Sequence, residues 1–434
     1  MSRSSVCFAA LAIASAVLAG QGVAGAQPAD PAPPAPAAEP APEPAPVTEA
    51  EREAEPPAAK HQIGGYIQAD GRFFPDDEDD RQNDRFELKR IRPRFQGTLW
   101  DHFDYKFLID LAGGRVQVLD VYADVRYVPW AVLRLGKAKA PFGLERLQSA
   151  TDIKFIERGL PTQLVPNRDI GVQLYGDVGG GLFSYQVGVM DGVPDGLSVD
   201  TNDDEHFDLV GRVFTQPFKR SGIPGLRGVG VGAAATRGER LGTAEVPQIA
   251  PYKTAGGSNI FAYASPDPEA APVIADGEHV RLTGQGYLFD GPFGFLGEYV
   301  WSRQEVSAGA ASGEFAHSAW AAAATFLVTG DAASYKSVEP LHPFDPQAGQ
   351  WGAVEVGARY SQLDVDGDVF DEGLASEDSS ARRARAITVG LSWYLNVVFK
   401  VQLNYERTAF DGGAAGGADR PAENALLVRS QIAF

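Results

Sequence analysis

The segment Phe103–Leu111, with the sequence FDYKFLIDL, sorts its side chains by alternate positions. Phe103 and every second residue after it are apolar, whereas the positions between them are charged except for Leu108. Successive side chains of a β-strand point to opposite faces, so the segment is predicted to be a strand with one apolar and one mostly charged face. This strand alone fits either a soluble sandwich or the wall of a membrane-spanning barrel.

The run before it favours the barrel. Arg90, Arg92 and Arg94 occupy one face of that run, and the opposite face is apolar or small. Only Asp101 and His102 separate the two runs, which is the spacing of a hairpin. Adjacent strands with charged inner faces and lipid-like outer faces are typical of a transmembrane β-barrel.

Composition supports this interpretation and limits the alternatives. The chain has 434 residues, of which 22% are charged, and no long apolar run follows its N-terminus. This argues against a helical membrane protein. The formal net charge of −19 argues against nucleic-acid binding.

The N-terminal region is predicted to contain two segments outside the barrel. Residues 1–26 have the basic start, apolar stretch and Ala24-Gly25-Ala26 cleavage site of a secretory signal peptide, and they include the only cysteine. Residues 27–60 are dominated by Pro, Ala and Glu, which predicts a disordered, extended periplasmic segment. A specific contact of this segment with peptidoglycan or a periplasmic partner is the alternative. The barrel is assigned to residues 61–434.

The remaining chain is predicted to form sixteen strands of an antiparallel up-and-down barrel. They lie near 62–74, 86–100, 103–113, 116–129, 131–140, 168–177, 181–191, 205–216, 226–238, 279–289, 292–305, 314–329, 350–365, 382–395, 397–409 and 423–434. With both termini in the periplasm, tight turns and long outer loops should alternate. The connection 330–349 breaks this rule, because it is long but falls on the turn side.

Several longer motifs resemble the phosphate-selective porin O and P family. They are LGKAKAPFGLER at 135–146, FIERGLP at 155–161, NRDIGVQ at 167–173, PLHPFDP at 340–346 with WGAVE at 351–355, and GLSWYLN at 390–396. The resemblance implies a sixteen-stranded barrel in the outer membrane of a Gram-negative bacterium, usually a trimer, that passes small anions such as phosphate or polyphosphate. The final strand ends on Phe434, which resembles the signal that the barrel-insertion machinery reads.

Residues 144–167 are expected to form the third outer loop and to fold inward, narrowing the lumen. Its apolar residues Ile153, Phe155 and Ile156 need a surface to pack against, which the inner wall would supply. A rigid surface loop is the alternative.

Ten basic residues are the candidate pore-lining and anion-binding set. They are Arg72, Arg90, Arg92, Arg94, Lys106, Arg126, Arg134, Arg146, Lys154 and Arg158. Arginine ladders select anions through their forked N–H donors. Inner-face carboxylates, among them Asp70, Asp104, Asp110, Asp120 and Asp124, leave a second interpretation open, in which these arginines brace the wall by ion pairs.

Other functions and partners are indicated by weaker patterns. No catalytic or cofactor site and no histidine spacing for a metal are found, so an enzyme is not expected. A general or carbohydrate-type porin with weak ion selectivity is the alternative function. The acidic loops Asp76–Asp80, Asp203–Glu205 and Asp364–Asp371 suggest contact with lipopolysaccharide through divalent cations. A small-residue wall at Ala233, Ala235, Ala322 and Ala324 would suit a homotrimer.

Overall fold

The computed structural model describes residues 59–75, 82–198, 200–201, 204–223, 225–267 and 269–434. The predicted signal peptide, almost all of the predicted periplasmic segment and the acidic run Asp76–Asp80 lie outside these residues, as does Asp203. The described residues form the wall of a β-sheet and the connections between its strands.

Sixteen strands make up the wall. They are β1 Lys60–Phe73, β2 Arg85–Leu99, β3 Phe103–Asp110, β4 Gln117–Val128, β5 Ala131–Lys139, β6 Arg168–Val178, β7 Phe183–Met190, β8 Asp208–Thr215, β9 Val229–Leu241, β10 Ile274–Asp290, β11 Phe293–Ala308, β12 Ala311–Leu327, β13 Ala353–Asp364, β14 Ala381–Tyr394, β15 Phe399–Ala414 and β16 Glu423–Ala433. The sixteen predicted strands are confirmed, with shifts only at their ends.

Every strand pairs antiparallel with its neighbours in sequence, and the last pairs with the first. β16 runs against β1 from Tyr66 opposite Ala433 to Phe73 opposite Leu426. The backbone of Phe434 exchanges two hydrogen bonds with Gly65, of 2.8 and 2.9 Å, and extends this seam. The sheet is therefore a closed barrel without a free edge, a form in which all strand backbone groups are satisfied in lipid.

The burial of side chains in β15 is the reverse of that in a soluble protein. Leu403 and Tyr405 are exposed, while Lys400, Gln402 and Asn404 at the alternate positions are at most 2% exposed. Because apolar side chains face out and polar ones face in, the outer surface of the wall suits lipid.

The decisive hairpin obeys the same alternation. Phe107 is exposed, whereas Leu108, the one apolar residue on the charged face, is buried. The pairing of β3 with β4 shifts by one residue between Leu108 and Ile109, which marks a bulge. Leu108 is therefore an interior residue rather than a break in the strand.

Connections of two kinds separate the ends of the barrel. The end with the links 100–102, 129–130, 179–182, 291–292 and 395–398 is called the turn end, and the opposite end is called the loop end. Two long connections, 216–228 and 328–352, nevertheless lie at the turn end, and the link 309–310 at the loop end is tight. The connection 328–352 therefore does not hide an additional pair of strands.

The connections also contain short elements. They are the helices α1 Leu144–Leu147 and α2 Asp368–Asp371, the 3₁₀ turns Ala112–Gly114, Leu160–Leu164 and Ala415–Gly417, the paired strands Tyr252–Lys253 and Asn259–Phe261, and the strand Ala418–Asp419. Within the described ranges, no helix is long and apolar enough to cross a membrane.

An apolar cluster fills the interior at the loop end of β11–β14. Phe315 and Leu363 of the wall belong to it, together with Phe261, Val369 and Leu374 from the connections 242–273 and 365–380. These side chains are buried almost completely. This part of the interior is consequently packed, so any open passage must run elsewhere.

Candidate functional site

Two cavities lie in the interior, one along β1–β6 and one bordered by β1, β2, β13 and β15. The turn-side cavity has a volume of about 340 Å³, and basic side chains dominate its lining: Arg90, Arg92, Arg94, Lys106, Arg134, Lys139, Arg146, Arg158 and Arg168. Among the described residues Asp120 is the single carboxylate in that lining. The cavity therefore presents a strongly positive surface.

The loop-side cavity has a volume of about 320 Å³ and a more mixed lining. Its basic residues are Arg72, Arg85, Lys89, Arg90, Arg146, Arg158, Lys253 and Arg359, and its acidic residues are Glu157 and Glu406. Arg90, Arg146 and Arg158 line both cavities, so they mark the junction between them.

The ten predicted residues divide between these places. Arg92, Arg94, Lys106 and Arg134 line the turn-side cavity only, and Arg72 lines the loop-side cavity only. Lys154 lies beside a small pocket of about 30 Å³, and Arg126 lines none of the three. The alternation of strands identified the wall residues, but the junction also requires two residues of the connection 140–167.

Sequence reasoning missed two cations of the turn-side cavity, Lys139 and Arg168, which lie at the ends of β5 and β6. Alternation from the exposed Leu133 and Leu135 would place Lys139 on the outer face. Its ammonium instead donates to the carbonyls of residues 146 and 148, at 2.7 and 2.6 Å. Both residues fall within the motifs LGKAKAPFGLER and NRDIGVQ, which were the only signal in the sequence.

Several of the predicted basic residues form ion pairs along the wall. The nitrogen–oxygen distances are 2.7 Å for Arg92 with Asp110, 2.8 Å for Lys106 with Asp120, 2.8 Å for Arg134 with Asp124, and 2.8 Å for Arg126 with Asp104. Arg72 pairs with Asp70 at 3.2 Å, with Glu87 at 2.9 Å, and with Glu157. Apart from the pairs of Arg72 with Asp70 and Glu157, these pairs join neighbouring strands, as expected of residues that brace the wall.

The junction residues differ from these braces. In the described part of the chain, none of Arg90, Arg146 and Arg158 forms an ion pair with a carboxylate. Their acceptors are the Gln68 amide oxygen for Arg90 at 2.7 Å, the Thr162 carbonyl for Arg146 at 2.5 Å, and the Glu145 and Gln148 carbonyls for Arg158, both at 2.9 Å. Neutral acceptors orient the guanidiniums without cancelling their charge.

The electrostatics at the junction follow from this arrangement. Burial lowers the pKa of Arg146, and the like charges of Arg158 and Arg168 lower it further. Burial also lowers the pKa of Arg158, against the opposing effect of Glu145 and Glu157. Guanidinium nevertheless stays protonated at neutral pH, so both side chains keep their positive charge despite burial.

Glu157 is a carboxylate near this charge. Burial by itself would raise the pKa of Glu157, but Lys89, Arg72, Arg429 and Arg90 together lower it well below its ordinary value. Lys89 lies at 3.5 Å and Arg429 at 3.6 Å from its carboxylate. Glu157 is therefore ionised throughout the neutral range and offsets part of the positive field in the loop-side cavity.

The connection 140–167 is fixed by polar side chains of the wall. Its backbone is held by Gln68 at the Ala150 carbonyl (3.0 Å), Lys400 at the Thr151 carbonyl (2.8 Å), Arg429 at the Ile156 carbonyl (2.6 Å), Asn404 at the Ile156 amide (2.6 Å) and Glu298 at the Leu144 amide (2.6 Å). All five wall side chains are buried. The connection thus bonds to strands β1, β11, β15 and β16.

Phe155 anchors the same connection by packing. A Cβ atom at Gly357 or Gly390 would approach its ring to 3.3 or 3.2 Å, so these two glycines of β13 and β14 leave the space it occupies. The Arg359 guanidinium lies 4.7 Å from the centre of the ring. Phe155 therefore packs against the wall and does not face solvent.

The long turn-end connection 328–352 also touches the connection 140–167. The Tyr335 hydroxyl donates to the Leu144 carbonyl at 2.5 Å, and the Gln148 amide donates to the Tyr335 carbonyl at 2.7 Å. The Tyr335 ring stacks on Tyr287 with centres 5.2 Å apart. This contact, which the sequence did not predict, gives the long link a role in supporting α1.

The sequence that forms this cation-lined barrel matches a protein-family model. The description of that model is "Phosphate-selective porin O and P", and it matches residues 62–434. The chain belongs to the phosphate-selective porin O and P family. It is accordingly an outer-membrane porin channel of a Gram-negative bacterium, as the sequence motifs indicated. No curated protein sequence matches the chain.

Solved structures similar to this porin are also outer-membrane proteins. The outer membrane channel DcaP of Acinetobacter baumannii superposes with a TM-score of 0.57 at 11% identity, over 87% of this chain and 97% of that one. An anion-selective porin from Comamonas acidovorans gives 0.52 at 11% identity, over 87% and 100% of the two chains. OmpT of Vibrio cholerae gives 0.53 at 12% identity, over 88% and 100%. At these identities the likeness shows the shared fold.

Proposed function

We propose that this porin is a passive diffusion channel for small anions, including phosphate and polyphosphate. The observation that carries the proposal is the junction of Arg90, Arg146 and Arg158, which lines both cavities and holds three guanidiniums without carboxylate partners in the described residues. An ion that passes from one cavity to the other must cross this point.

The connection 140–167 acts in this proposal as the constriction. It supplies two of the three junction arginines, and its bonds to β1, β11, β15 and β16 support an inward position. Salt screens charges over about 8 Å at physiological ionic strength, which is comparable to a narrowed pore. Fixed guanidiniums at that distance attract anions and repel cations.

Phosphate oxygens suit this site because guanidinium presents two parallel N–H donors to them. Arg94, which also lines the turn-side cavity, makes no side-chain hydrogen bond or ion pair within the described ranges. Arg90, Arg94 and the two loop arginines could therefore exchange a phosphate from one fork to the next. Competition of phosphate with chloride conduction would reveal such binding as a drop in chloride current.

The deciding experiment is the reversal potential of single channels in a salt gradient. The test variant carries Arg90→Ala, Arg146→Ala and Arg158→Ala, and it should move toward cation selectivity, most strongly at low salt. The control carries Arg126→Ala, Lys219→Ala and Arg220→Ala, three exposed cations at the turn end, and should keep the native value. Equal shifts in both variants would show that overall charge, and not the junction, sets selectivity.

A general or carbohydrate-type porin is the second candidate. The wall pairs of Arg92, Lys106 and Arg134 with aspartates favour it, because paired arginines contribute little field. Tyr66 and Tyr122 in the turn-side cavity add surfaces for sugar rings. Uptake of a neutral sugar at the rate of phosphate by liposomes containing the channel would favour this candidate.

A homotrimer is part of the proposal. Ala233, Ala235, Ala322 and Ala324 face outward and are exposed, as the alternation predicted, so two stretches of wall are smooth enough for close packing. One related structure is described as the trimer form of OmpT. Unheated protein that sediments as a monomer in detergent would contradict this assembly.

A further inference from the structure

A group of charged side chains lies on the outer face of β14 and β15, where the wall otherwise faces lipid. Along β14 the outward residues Leu391, Val389 and Ile387 are followed toward the loop end by Arg385 and Arg383. Along β15, Arg407 follows Leu403 and Tyr405 in the same way. We call Arg383, Arg385 and Arg407 the arginine patch.

Aromatic side chains fix the depth of this patch. Trp320 on β12 and Tyr360 on β13 lie with ring centres 5.1 Å apart, and Tyr360 pairs across the sheet with Ile387. Ile387 in turn pairs with Arg407. Tryptophan and tyrosine mark the membrane–water interface, so Arg407, in the same row, lies at that interface. Arg385 and Arg383 lie beyond Ile387 toward the loop end, at the level of lipid headgroups.

The length of the strand gives the same depth. Trp393, near the turn end of β14, precedes the turn residues, and Arg385 lies eight positions away on the same face. Eight residues span about 27 Å along a strand, or roughly 20 Å across the membrane at the usual tilt. This agrees with an apolar band of about 25 Å once the bordering rings are included.

The charges of the patch do not cancel. Arg385 pairs with Asp411, and Arg383 pairs with Asp364 and lies 3.4 Å from Asp411. Three guanidiniums thus face two carboxylates, a net charge of one positive unit.

Arg407 is the member of the patch without an ion pair. In the described part of the chain its side chain forms one hydrogen bond, to the Asn424 amide oxygen at 3.2 Å. A guanidinium carries five N–H donors, so most of those on Arg407 remain available to a ligand.

A second outward group at the same end provides a contrast. Arg237 of β9 and Arg303 of β11 both bond to Glu278, at 2.7 and 2.6 Å, and Arg303 also bonds to Glu314 at 3.1 Å. Two guanidiniums face two carboxylates there, and the exposed Glu239 lies on the same face. This group has no cationic excess, whereas the arginine patch has one.

We propose that the arginine patch binds a phosphate group of an outer-leaflet lipid, namely the phosphorylated glucosamine headgroup of lipid A. Guanidinium forks match phosphate oxygens, and the apolar row of Ile387, Val389 and Leu403 directly below accepts acyl chains. A free phosphate ion has no apolar part that could contact this row. Because the patch lies on the outer face of the wall, this binding is independent of what passes through the pore.

The test measures lipid binding to the full-length protein in detergent by native mass spectrometry. The probes are lipid A with both phosphates and the same lipid after dephosphorylation. The test variant carries Arg385→Ala and Arg407→Ala, and the matched control carries Arg237→Ala and Arg303→Ala. Both variants lose two outward arginines at the loop end, so nonspecific charge effects are equal.

We expect the test variant to bind phosphorylated lipid A at least about tenfold more weakly than the native protein, because two charge-assisted contacts are lost. The control should stay within about twofold, and dephosphorylated lipid A should not distinguish the proteins. Equal weakening in both variants, or none in either, would overturn the proposal. So would displacement of the lipid by millimolar inorganic phosphate, or loss of subunit association in the test variant alone, which would identify a subunit contact.

Discussion

Arg90 and Arg94 of β2 and the inward arginines of β9–β10 are the same residue type in two opposite environments. Arg90 and Arg94 lie at open cavities and lack carboxylate partners in the described residues. Arg281 and Arg240 are at most 2% exposed, and they pair with Asp195 and Asp208 at 2.6 and 2.7 Å. The difference shows that ion pairing and burial, and not the residue type, decide whether an arginine of the lumen is structural or free to meet an ion.

Asp195 explains why the packed side is closed. It comes from the connection 191–207, yet it accepts bonds from Arg281 and Ser302 of the wall and from Tyr252 of the next connection. Burial would raise the pKa of Asp195, but Arg281 and His279 lower it below its ordinary value. One carboxylate thus fastens two connections to the inner wall and removes that side from the passage.

Removing this carboxylate should have the largest effect. In an Asp195→Ala variant Arg281 would be left buried without its closest partner, which costs about 3–5 kcal/mol in comparable buried pairs. Arg94→Ala, on the open side, should change the free energy of unfolding by less than about 0.5 kcal/mol. Urea unfolding followed by heat-modifiable migration on gels measures both.

Asp195→Asn is the control, because the amide oxygen can still accept the bonds of Ser302 and Tyr252. A stability close to native for Asp195→Ala would mean that the packed side is held by its apolar cluster alone. The comparison of the two sides would then rest on packing rather than on charge.

Glu157 sharpens the comparison from the open side. Glu157→Gln removes a negative charge that Arg72, Lys89 and Arg429 share, so anion selectivity should increase. Arg72 keeps Asp70 and Glu87 as partners, and the loss of stability should stay near 1–3 kcal/mol. The reversal potential at low salt measures the first effect, and Glu157→Asp serves as the control that keeps the charge.

Glu157 should contribute no pH dependence to the selectivity of the channel. Because neighbouring cations lower the pKa of Glu157, its carboxylate remains ionised in the folded protein below the unfolded value of about 4.3. The stability it contributes is present above that value and is lost only as the pH falls through the lower, folded pKa. The difference in reversal potential between the native channel and Glu157→Gln should therefore be the same at pH 8 and pH 5. A difference that shrinks between pH 6 and pH 5 would show that Glu157 is not held in this way.

The fold could be predicted from the sequence because the alternation of apolar and polar residues shows the two faces of each strand of a membrane barrel directly. The alternation at Phe103–Leu111 needs no knowledge of distant partners. The pairing state of an arginine does need it: Arg134 meets Asp124 through the register of β4 and β5, while Arg90 bonds, among the described residues, to the Gln68 amide oxygen. The sequence thus predicted which arginines face inward but could not separate the braces from the free ones.

The contacts that the connections make could not be predicted from the sequence for a related reason. Tyr335 lies in a polar link without periodicity, so no pattern indicates that it reaches Leu144. Arg146 and Arg158 were predicted as pore residues, but their meeting with Arg90 depends on bonds from four different strands to one connection. Such meetings are set by the closed shape of the barrel and not by local sequence.

The smallest effect is expected from a substitution in the connection 328–352, where it supports the connection 140–167. Tyr335→Phe removes the hydroxyl that donates to the Leu144 carbonyl but keeps the stack on Tyr287. One such hydrogen bond contributes about 0.5–1.5 kcal/mol, so the barrel should remain folded and equally selective. Because α1 carries Arg146, its loosening should appear instead as more frequent current fluctuations in single channels. Tyr287→Phe, which keeps the stacked ring and lies outside the connection, is the control. If Tyr335→Phe and the control fluctuate alike, the link does not steady the junction, and the open side depends on the wall bonds of the connection alone.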